Sequence, residues 1–277
     1  MRTVTFPGGE TVPALGQGTW NIGDSRATRA AEIATLRRGI DLGLTLIDTA
    51  EMYGDGRSEQ LVAAAITGRR DEVFIVSKVL PNHASRRGTV TACERSLKHL
   101  NSDRIDLYLL HWHGGVPFAE TLEALMALKR AGKIRYYGVS NLDLTETKAW
   151  CQESGGEATA TNQLLYNLSR RGIEWDLLPW LRKRGIPVMA YSPLEQTRLF
   201  KNAKFAALAK ASGVTPAQLA LAWLLAKDDV MVIPKCSSPA RVEENAAARE
   251  IQLSPSQMAE LDKIFPPPRG ARPLEML

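Results

Sequence analysis

The sequence has few cysteines and no long apolar segment. Its 277 residues include only Cys93, Cys151 and Cys236, which are far apart. Their spacing argues against a disulfide framework or a cysteine metal site and is typical of reduced cytosolic thiols. No uncharged apolar run approaches the roughly 18 residues that a membrane-spanning helix needs, and residues 1–6 contain no apolar signal core. We therefore expect a soluble, cytoplasmic protein.

The sequence also lacks a run of like charges and a glycine-rich nucleotide loop. Its net charge of +5 is spread along the chain. A dispersed positive charge does not indicate nucleic-acid binding, and it is equally compatible with a small anionic ligand. The fingerprint G-x-G-x-x-G is absent, because Gly16-Gln17-Gly18 does not continue it, and there is no Walker-type phosphate loop. We expect a small-molecule partner rather than nucleic acid or a membrane, and a monomeric chain.

Apolar, β-rich runs alternate with helical patterns along the whole chain. We predict strands at residues 14–20, 44–47, 73–77, 105–110, 134–139, 158–163, 187–191 and 230–233. Eight such strands, each too apolar for one exposed face, favour a closed α/β (β/α)₈ TIM barrel of about 250 residues over an open sheet. We expect one domain over residues 1–277, with a short β-hairpin at residues 2–13 and an extended tail at residues 265–270.

Polar or ionisable residues follow most of the predicted strands. In chain order they are Asp48, Tyr53, Lys78, His111, Ser140, Asn141, Gln163, Tyr191, Ser192 and Lys235. Reactive groups of such barrels lie at the carboxyl ends of the strands, so this ring of groups predicts a catalytic cavity. Four apolar residues at strand exits would form a substrate rim: Trp20, Met52, Leu80 and Trp112.

These residue types favour acid-assisted transfer of hydride to a carbonyl group. A phenol with a pKa of about 10 is a poor proton donor, but a buried Lys78 ammonium would lower the pKa of Tyr53, and Asp48 would keep Lys78 charged. A neutral His111 would orient the substrate oxygen while Tyr53 donates the proton. No side chain supplies hydride, so a nicotinamide or flavin must do so.

Two other interpretations of the same residues stay open. Lys78 is also the residue type that a Schiff-base barrel lyase requires. His111 and His113 have the spacing of two zinc ligands on one strand face. Only His83 and His99 remain, in or beside the third predicted helix, and we therefore expect no metal.

Eight short motifs, with their order and spacing kept, resemble those of the aldo-keto reductases. They are GQGTW at 16–20, DTAEMYG at 48–54, SKV at 77–79, LHW at 110–112, GVSN at 138–141, NQ at 162–163, YSPL at 191–194 and IPK at 233–235. The resemblance extends to about residue 261, and the short C-terminal segment is similar to that of bacterial methylglyoxal and general aldehyde reductases. It implies an NADP-dependent oxidoreductase that reduces aldehydes and ketones to alcohols.

The resemblance also implies roles for individual residues. The catalytic tetrad would be Asp48, Tyr53, Lys78 and His111, with Tyr53 as the acid. Cofactor contacts would be made by Thr19, Trp20, Asp48, Ser140, Asn141, Gln163, Tyr191, Ser192, Leu194, Lys235, Ser238, Arg241, Glu244 and Asn245. Substrate contacts would be made by Trp20, Tyr53, Leu80, His111 and Trp112.

The adenosine end of this implied site favours NADPH over NADH. Lys235, Ser238 and Arg241 would hold the 2′-phosphate, because two cations near a helix N-terminus make an anion site. Cys236 stands where the family commonly has a serine, which would soften that preference. A non-catalytic NADPH-binding barrel is a further alternative, against which the intact tetrad argues.

Overall fold

The N-terminal segment forms a small hairpin at one end of the molecule. The structure is a computed structural model that describes residues 2–277, so Met1, the first residue of the predicted domain, lies outside the described residues. Strands β1 (Thr3–Thr5) and β2 (Thr11–Pro13) pair antiparallel. The ring of Phe6 packs on Phe74, with centroids 5.6 Å apart. The predicted hairpin is thus confirmed, and because Phe74 begins a barrel strand, the hairpin covers the amino-terminal end of the barrel.

Eight parallel strands alternating with helices form the rest of the described chain. The strands are β3 (Gln17–Gly18), β4 (Leu46–Asp48), β5 (Phe74–Val79), β6 (Ile105–Leu110), β7 (Ile134–Ser140), β8 (Asn162–Leu165), β9 (Val188–Tyr191) and β10 (Val230–Val232). The helices are α1 (Arg29–Asp41), α2 (Arg57–Ala65), α3 (Arg86–Leu100), α4 (Phe118–Arg130), α5 (Leu144–Gln152), α6 (Leu177–Lys183), α7 (Ala203–Ala211), α8 (Pro216–Leu225), α9 (Pro239–Ala247) and α10 (Pro255–Ile264). Neighbouring strands pair in chain order from β3 to β10.

Backbone hydrogen bonds close the sheet between its first and last strands. The Gly16 N–H donates to the Val232 carbonyl at 2.8 Å, and the Gly18 N–H donates to the Pro234 carbonyl at 3.1 Å. A Cβ on Gly18 would lie 2.7 Å from the Ile233 oxygen, so the close approach of the two segments requires glycine there. The predicted (β/α)₈ barrel is confirmed.

The limits of several strands differ from the predicted ones by more than one residue. The strand predicted at 44–47 is β4, which starts at Leu46 and ends on Asp48. The strand predicted at 158–163 is β8, which starts only at Asn162, and Ala158 belongs instead to a 3₁₀ turn over residues 156–158. The strand predicted at 73–77 is β5, which continues through Lys78 to Val79. As a result, Asp48 and Lys78 lie on paired strands rather than after them.

Apolar side chains fill the space on both faces of the sheet. Leu46 and Val76 belong to one buried cluster, and Ile47 and Ile75 belong to another. Successive side chains of a strand point to opposite faces, so each strand contributes to both clusters. Among residues 2–277, no helix has the length and apolar character needed to cross a bilayer.

The C-terminal tail returns to the barrel after α10. Residues 265–277 have no regular structure, and Glu275 accepts a hydrogen bond from Arg170 Nη1 at 2.5 Å. This contact brings Met276 and Leu277 to the carboxyl end of the strands. The tail was predicted to be extended, but its position at the barrel mouth was not predicted.

Candidate active site

A cavity of about 630 Å³ opens at the carboxyl ends of the strands, where barrel enzymes carry their active sites. The residues that line it lie in or after seven of the eight strands, all except β5, and include the last two residues of the C-terminal tail. A smaller cavity of about 160 Å³ lies between that tail and the elements around α5 and α6. Only the larger cavity contacts the predicted site residues, and it is the candidate active site.

Asp48, Tyr53 and Lys78 meet at the inner end of this cavity. Lys78 Nζ donates to Asp48 Oδ1 at 2.7 Å, to the Thr49 carbonyl at 2.8 Å and to the Tyr53 hydroxyl at 3.3 Å. Lys78 is fully buried and Asp48 is almost fully buried. An ammonium group has three protons, and each has an acceptor here. The side chain is therefore fixed in position and its charge is paired.

His111 lies beside Tyr53 and is neutral. The two ring centroids are 6.0 Å apart in an edge-on arrangement. Burial and the Lys78 charge lower the pKa of His111 to about 2, so the imidazole carries no charge at neutral pH. Its Nδ1 is buried without a hydrogen-bond partner among the described residues. The ring can therefore act as a neutral hydrogen-bonding group towards the cavity.

The pKa of Tyr53 shifts in the direction opposite to the sequence expectation. Burial raises it well above its usual value, and the Asp48 carboxylate raises it further. Lys78 does not reverse this, because Asp48 already pairs with its charge and because burial lowers the pKa of Lys78 itself. The expected lowering of the pKa of Tyr53 is wrong. Tyr53 is therefore protonated at neutral pH, as a proton donor must be.

Hydrogen-bonding side chains form the wall between β7 and β9. Gln163 Nε2 donates to Asp48 Oδ1 at 2.8 Å. The Tyr191 hydroxyl donates to Asn141 Oδ1 at 3.0 Å, and Asn141 Nδ2 donates to Ser140 Oγ at 3.1 Å. These bonds fix the side-chain orientations before a ligand arrives. The wall presents two amides and one aromatic ring to the cavity.

The 192–197 segment, which follows β9, has an unusual backbone. Four of its residues have positive φ values of 47° to 68°: Ser192, Glu195, Gln196 and Thr197. Such conformations cost side-chain-bearing residues on the order of 1 kcal/mol each. The buried Glu195 carboxylate secures the segment by accepting from Asn167 at 2.8 Å and from Arg170 at 2.9 Å. The outer part of the cavity wall is thereby held in one shape.

Lys235 and Arg241 line the outer end of the cavity. Both are exposed, and within residues 2–277 neither makes an ion pair, since the nearby Glu243 pairs with Arg38 at 2.7 Å. Arg241 lies in the first turn of α9, and Ser238, the N-cap residue, makes no side-chain capping bond. Two cations without an ion pair beside a helix N-terminus fit a phosphate group.

Most of the predicted cofactor and substrate residues line the cavity, and four do not. The predicted residues in its lining are Thr19, Trp20, Asp48, Tyr53, His111, Trp112, Ser140, Asn141, Gln163, Tyr191, Ser192, Leu194, Lys235 and Arg241. The predicted residues outside it are Leu80, Ser238, Glu244 and Asn245. Asn245 is buried within α9, and the role of these four residues stays a prediction.

Several lining residues were missed by sequence reasoning. They are Gly18, Asn21, Pro193, Gln196, Thr197, Ile233, Pro234, Met276 and Leu277. Most adjoin predicted strand ends, so a wider window around each end would have found them. Met276 and Leu277 carry no such signal. With Trp20 and Met52, both more than one-third exposed, they give the mouth an exposed apolar rim.

The fold and this site define the class of the protein as a (β/α)₈-barrel oxidoreductase. The chain belongs to the aldo/keto reductase family, whose model matches residues 14–265. It is 49% identical over 282 residues to the methylglyoxal reductase YeaE of Escherichia coli strain K12, covering 100% of this chain and 99% of the relative.

Solved structures show the same relationship. An aldo/keto reductase from Klebsiella pneumoniae, solved in complex with NADP and acetate, is 49% identical with a TM-score of 0.97 and covers 100% of this chain and 99% of that one. The thermostable aldo-keto reductase Tm1743 was solved with the inhibitor epalrestat. It is 40% identical with a TM-score of 0.88, and the match covers 95% of this chain and 100% of that one. The predicted family is confirmed.

Proposed function

We propose that this protein reduces small aldehydes and ketones to alcohols with NADPH, and that Tyr53 donates the proton. One observation carries the proposal: the Tyr53 hydroxyl lies 3.3 Å from Lys78 Nζ at the inner end of an open cavity. A buried phenol beside an ammonium is the arrangement that acid-assisted carbonyl reduction needs.

The residues around the cavity fit a nicotinamide dinucleotide. The amides of Asn141 and Gln163 suit a carboxamide, and the Tyr191 ring offers a face for stacking. Lys235 and Arg241 suit the 2′-phosphate, which favours NADPH over NADH. Bound there, the cofactor would supply hydride to the substrate carbon. The Klebsiella relative solved with NADP supports this assignment.

The side chains of this chain would carry out the proton half of the reaction. Neutral His111 hydrogen-bonds the carbonyl oxygen and orients it towards Tyr53. As negative charge develops on that oxygen, the Tyr53 O–H bond breaks and the alcohol O–H bond forms. Lys78 then stabilises the phenolate that remains, because its ammonium already contacts the hydroxyl oxygen. Asp48 keeps Lys78 charged throughout.

The contacts of Lys78 disfavour the Schiff-base alternative. A Schiff-base lysine attacks as a neutral amine and needs a free lone pair. Lys78 Nζ is instead surrounded by three acceptors and pairs with a carboxylate. His113, the other candidate zinc ligand, contacts Glu146 at 2.9 Å instead of turning towards His111. Neither lyase nor metal chemistry explains the cluster as well as carbonyl reduction does.

For the substrate class we propose small uncharged aldehydes and 2-oxoaldehydes such as methylglyoxal. The rim of Trp20, Met52, Met276 and Leu277 is apolar, and the cations that line the cavity lie at its outer end. Methylglyoxal reduction is the activity named for the Escherichia coli relative.

The test is a turnover assay with the purified protein. Methylglyoxal, small aldehydes, dicarbonyls and sugars are each mixed with NADPH or NADH, and the loss of reduced-nicotinamide absorbance is followed. We expect oxidation of NADPH with at least the small aldehydes, and slower oxidation of NADH. No oxidation with any carbonyl would overturn the proposal, as would borohydride trapping of a substrate on Lys78.

We further propose that residues 1–277 form one domain and that the protein is a cytoplasmic monomer. The one-domain proposal is supported by the two buried clusters, which share the same strands. Size-exclusion chromatography with light scattering tests the monomer, and a single unfolding transition by calorimetry tests the domain.

A further inference from the structure

The turn between Asp48 and Tyr53 contains a buried carboxylate that the proposed mechanism does not use. The side chain of Glu51 is only 3% exposed. Its Oε1 accepts from the Leu80 N–H at 2.7 Å and contacts His83 Nδ1 at 3.0 Å, and its Oε2 accepts from Arg95 Nη2. A buried carboxylate is costly unless it is paired and hydrogen-bonded. Here its partners all come from the connection after β5 and from α3.

These partners make Glu51 a link between the two segments that carry the proton donor and its lysine. Near Asp48 the turn is attached to β5 by Thr49, whose N–H donates to the Val76 carbonyl at 2.8 Å. Near Tyr53 the attachment is the bond from the Leu80 N–H to Glu51. Glu51 precedes Tyr53 by two residues, and Leu80 follows Lys78 by two residues. The bond therefore links the two segments within two residues of each reacting side chain.

We propose that Glu51 is a positioning residue that sets the separation of the Tyr53 hydroxyl and Lys78 Nζ. It acts through the Leu80 backbone, to which it is hydrogen-bonded, since its own side chain does not line the cavity. The inference rests on the proposed role of Tyr53. A misplacement of about 1 Å in a reacting group can cost about 10²-fold in rate, so a small movement of the turn would suffice.

Two substitutions at Glu51 distinguish the effect of its hydrogen bond to Leu80 from the effect of its negative charge. Glu51→Gln keeps the chain length and an acceptor oxygen for the Leu80 N–H but removes the negative charge. Glu51→Asp keeps the charge but is one methylene shorter, so its carboxylate falls short of Leu80. We expect Glu51→Gln to keep kcat within about threefold of wild type, and Glu51→Asp to lower kcat about 10²-fold with an unchanged Kd for NADPH.

A third variant tests the same bond from its donor side. Leu80 has φ −67° and ψ 148°, which proline adopts without strain, so Leu80→Pro removes the N–H donor while keeping the backbone path. We expect its kcat loss to resemble that of Glu51→Asp. The matched control is Glu174→Asp, which shortens a carboxylate bonded to Arg171 at 2.8 Å and to Tyr166 at 2.6 Å, away from the cavity. It should lower Tm and leave kcat unchanged.

The outcomes distinguish a failure of the inference from a failure of the proposed function. Equal kcat losses in Glu51→Gln and Glu51→Asp, a greater loss in Glu51→Gln, or no loss in either would each overturn it. Wild-type turnover in the same assay tests the function itself. A crystal structure of Glu51→Asp gives a readout without turnover: we expect the distance from the Tyr53 hydroxyl to Lys78 Nζ to increase by about 1 Å. An unchanged distance would also overturn the inference.

Discussion

The inner and outer ends of the cavity differ in how their charges are balanced. At the inner end, Lys78 is buried and its three protons already have acceptors within the protein. At the outer end, Lys235 and Arg241 are exposed and without an ion pair in the described part of the chain. The inner end is thus assembled by folding alone, whereas the two cations of the outer end would be paired only by the proposed cofactor phosphate. Substitutions at the inner end should accordingly change kcat, and substitutions at the outer end should change the Kd for the cofactor.

The strongest test of this difference is Tyr53→Phe, which removes the proton donor and keeps the ring. We expect kcat to fall about 10³-fold or more, because general acids contribute about 10² to 10⁴-fold, while the Kd for NADPH changes less than about twofold. Steady-state kinetics and quenching of tryptophan fluorescence by NADPH measure the two quantities. Retained turnover would remove Tyr53 from the acid role.

The next largest effect should follow from Asp48→Asn, which leaves the buried Lys78 without its counter-ion. Breaking a buried ion pair costs about 3–5 kcal/mol, and a less fully charged Lys78 would stabilise the phenolate poorly. We expect a lower urea midpoint together with a loss in kcat. The control is Glu72→Gln, which breaks an exposed ion pair with Arg69 at 2.8 Å and should change neither quantity much. Similar midpoints for the two variants would contradict the account of the inner end.

The outer end is tested by Arg241→Ala. Hydrogen bonds to charged groups contribute about 1.5–3 kcal/mol, so we expect the Kd for NADPH to rise about 10- to 100-fold while the Kd for NADH barely changes. Arg130→Ala on α4 removes an equal charge far from the cavity and should leave both values unchanged. Equal weakening of NADPH and NADH would show that Arg241 does not contact the 2′-phosphate.

The smallest predicted effect concerns the stability of the protein in acid and depends on His111 at the inner end. The folded pKa of His111, about 2, lies below the value of about 6.5 expected for an unfolded chain. Between these values the unfolded state binds more protons, so stability is unaffected above pH about 6.5 and falls at lower pH by up to about 1.4 kcal/mol per unit. We expect His111→Gln to reduce the loss of stability between about pH 6 and pH 4, measured by urea unfolding. An identical loss in both proteins would show that His111 is not buried as a neutral group.

The barrel and the inner end were accessible from sequence for a physical reason. Buried parallel strands must be apolar, so a charge such as Asp48 at a strand end stands out, and β-strand register then brings it towards Lys78. The start of β8 was not accessible, because Ala160 continues the apolar pattern although the strand begins at Asn162. Nor was the position of Met276, which depends on a contact between Arg170 and Glu275. The direction of the pKa shift of Tyr53 could not be predicted either, because it depends on how deeply the hydroxyl is buried, and a sequence motif does not give the depth of burial.

The left-handed backbone of the 192–197 segment affects how a ligand would bind there. Its conformation is held by Asn167 and Arg170 through Glu195. The entropy cost of ordering the segment is therefore met when the chain folds and does not reduce the free energy of ligand binding. A ligand that lies along it meets a preorganised surface and retains more of its interaction energy as affinity. Loosening the Glu195 anchor would therefore weaken binding even though every ligand-contacting side chain remained in place.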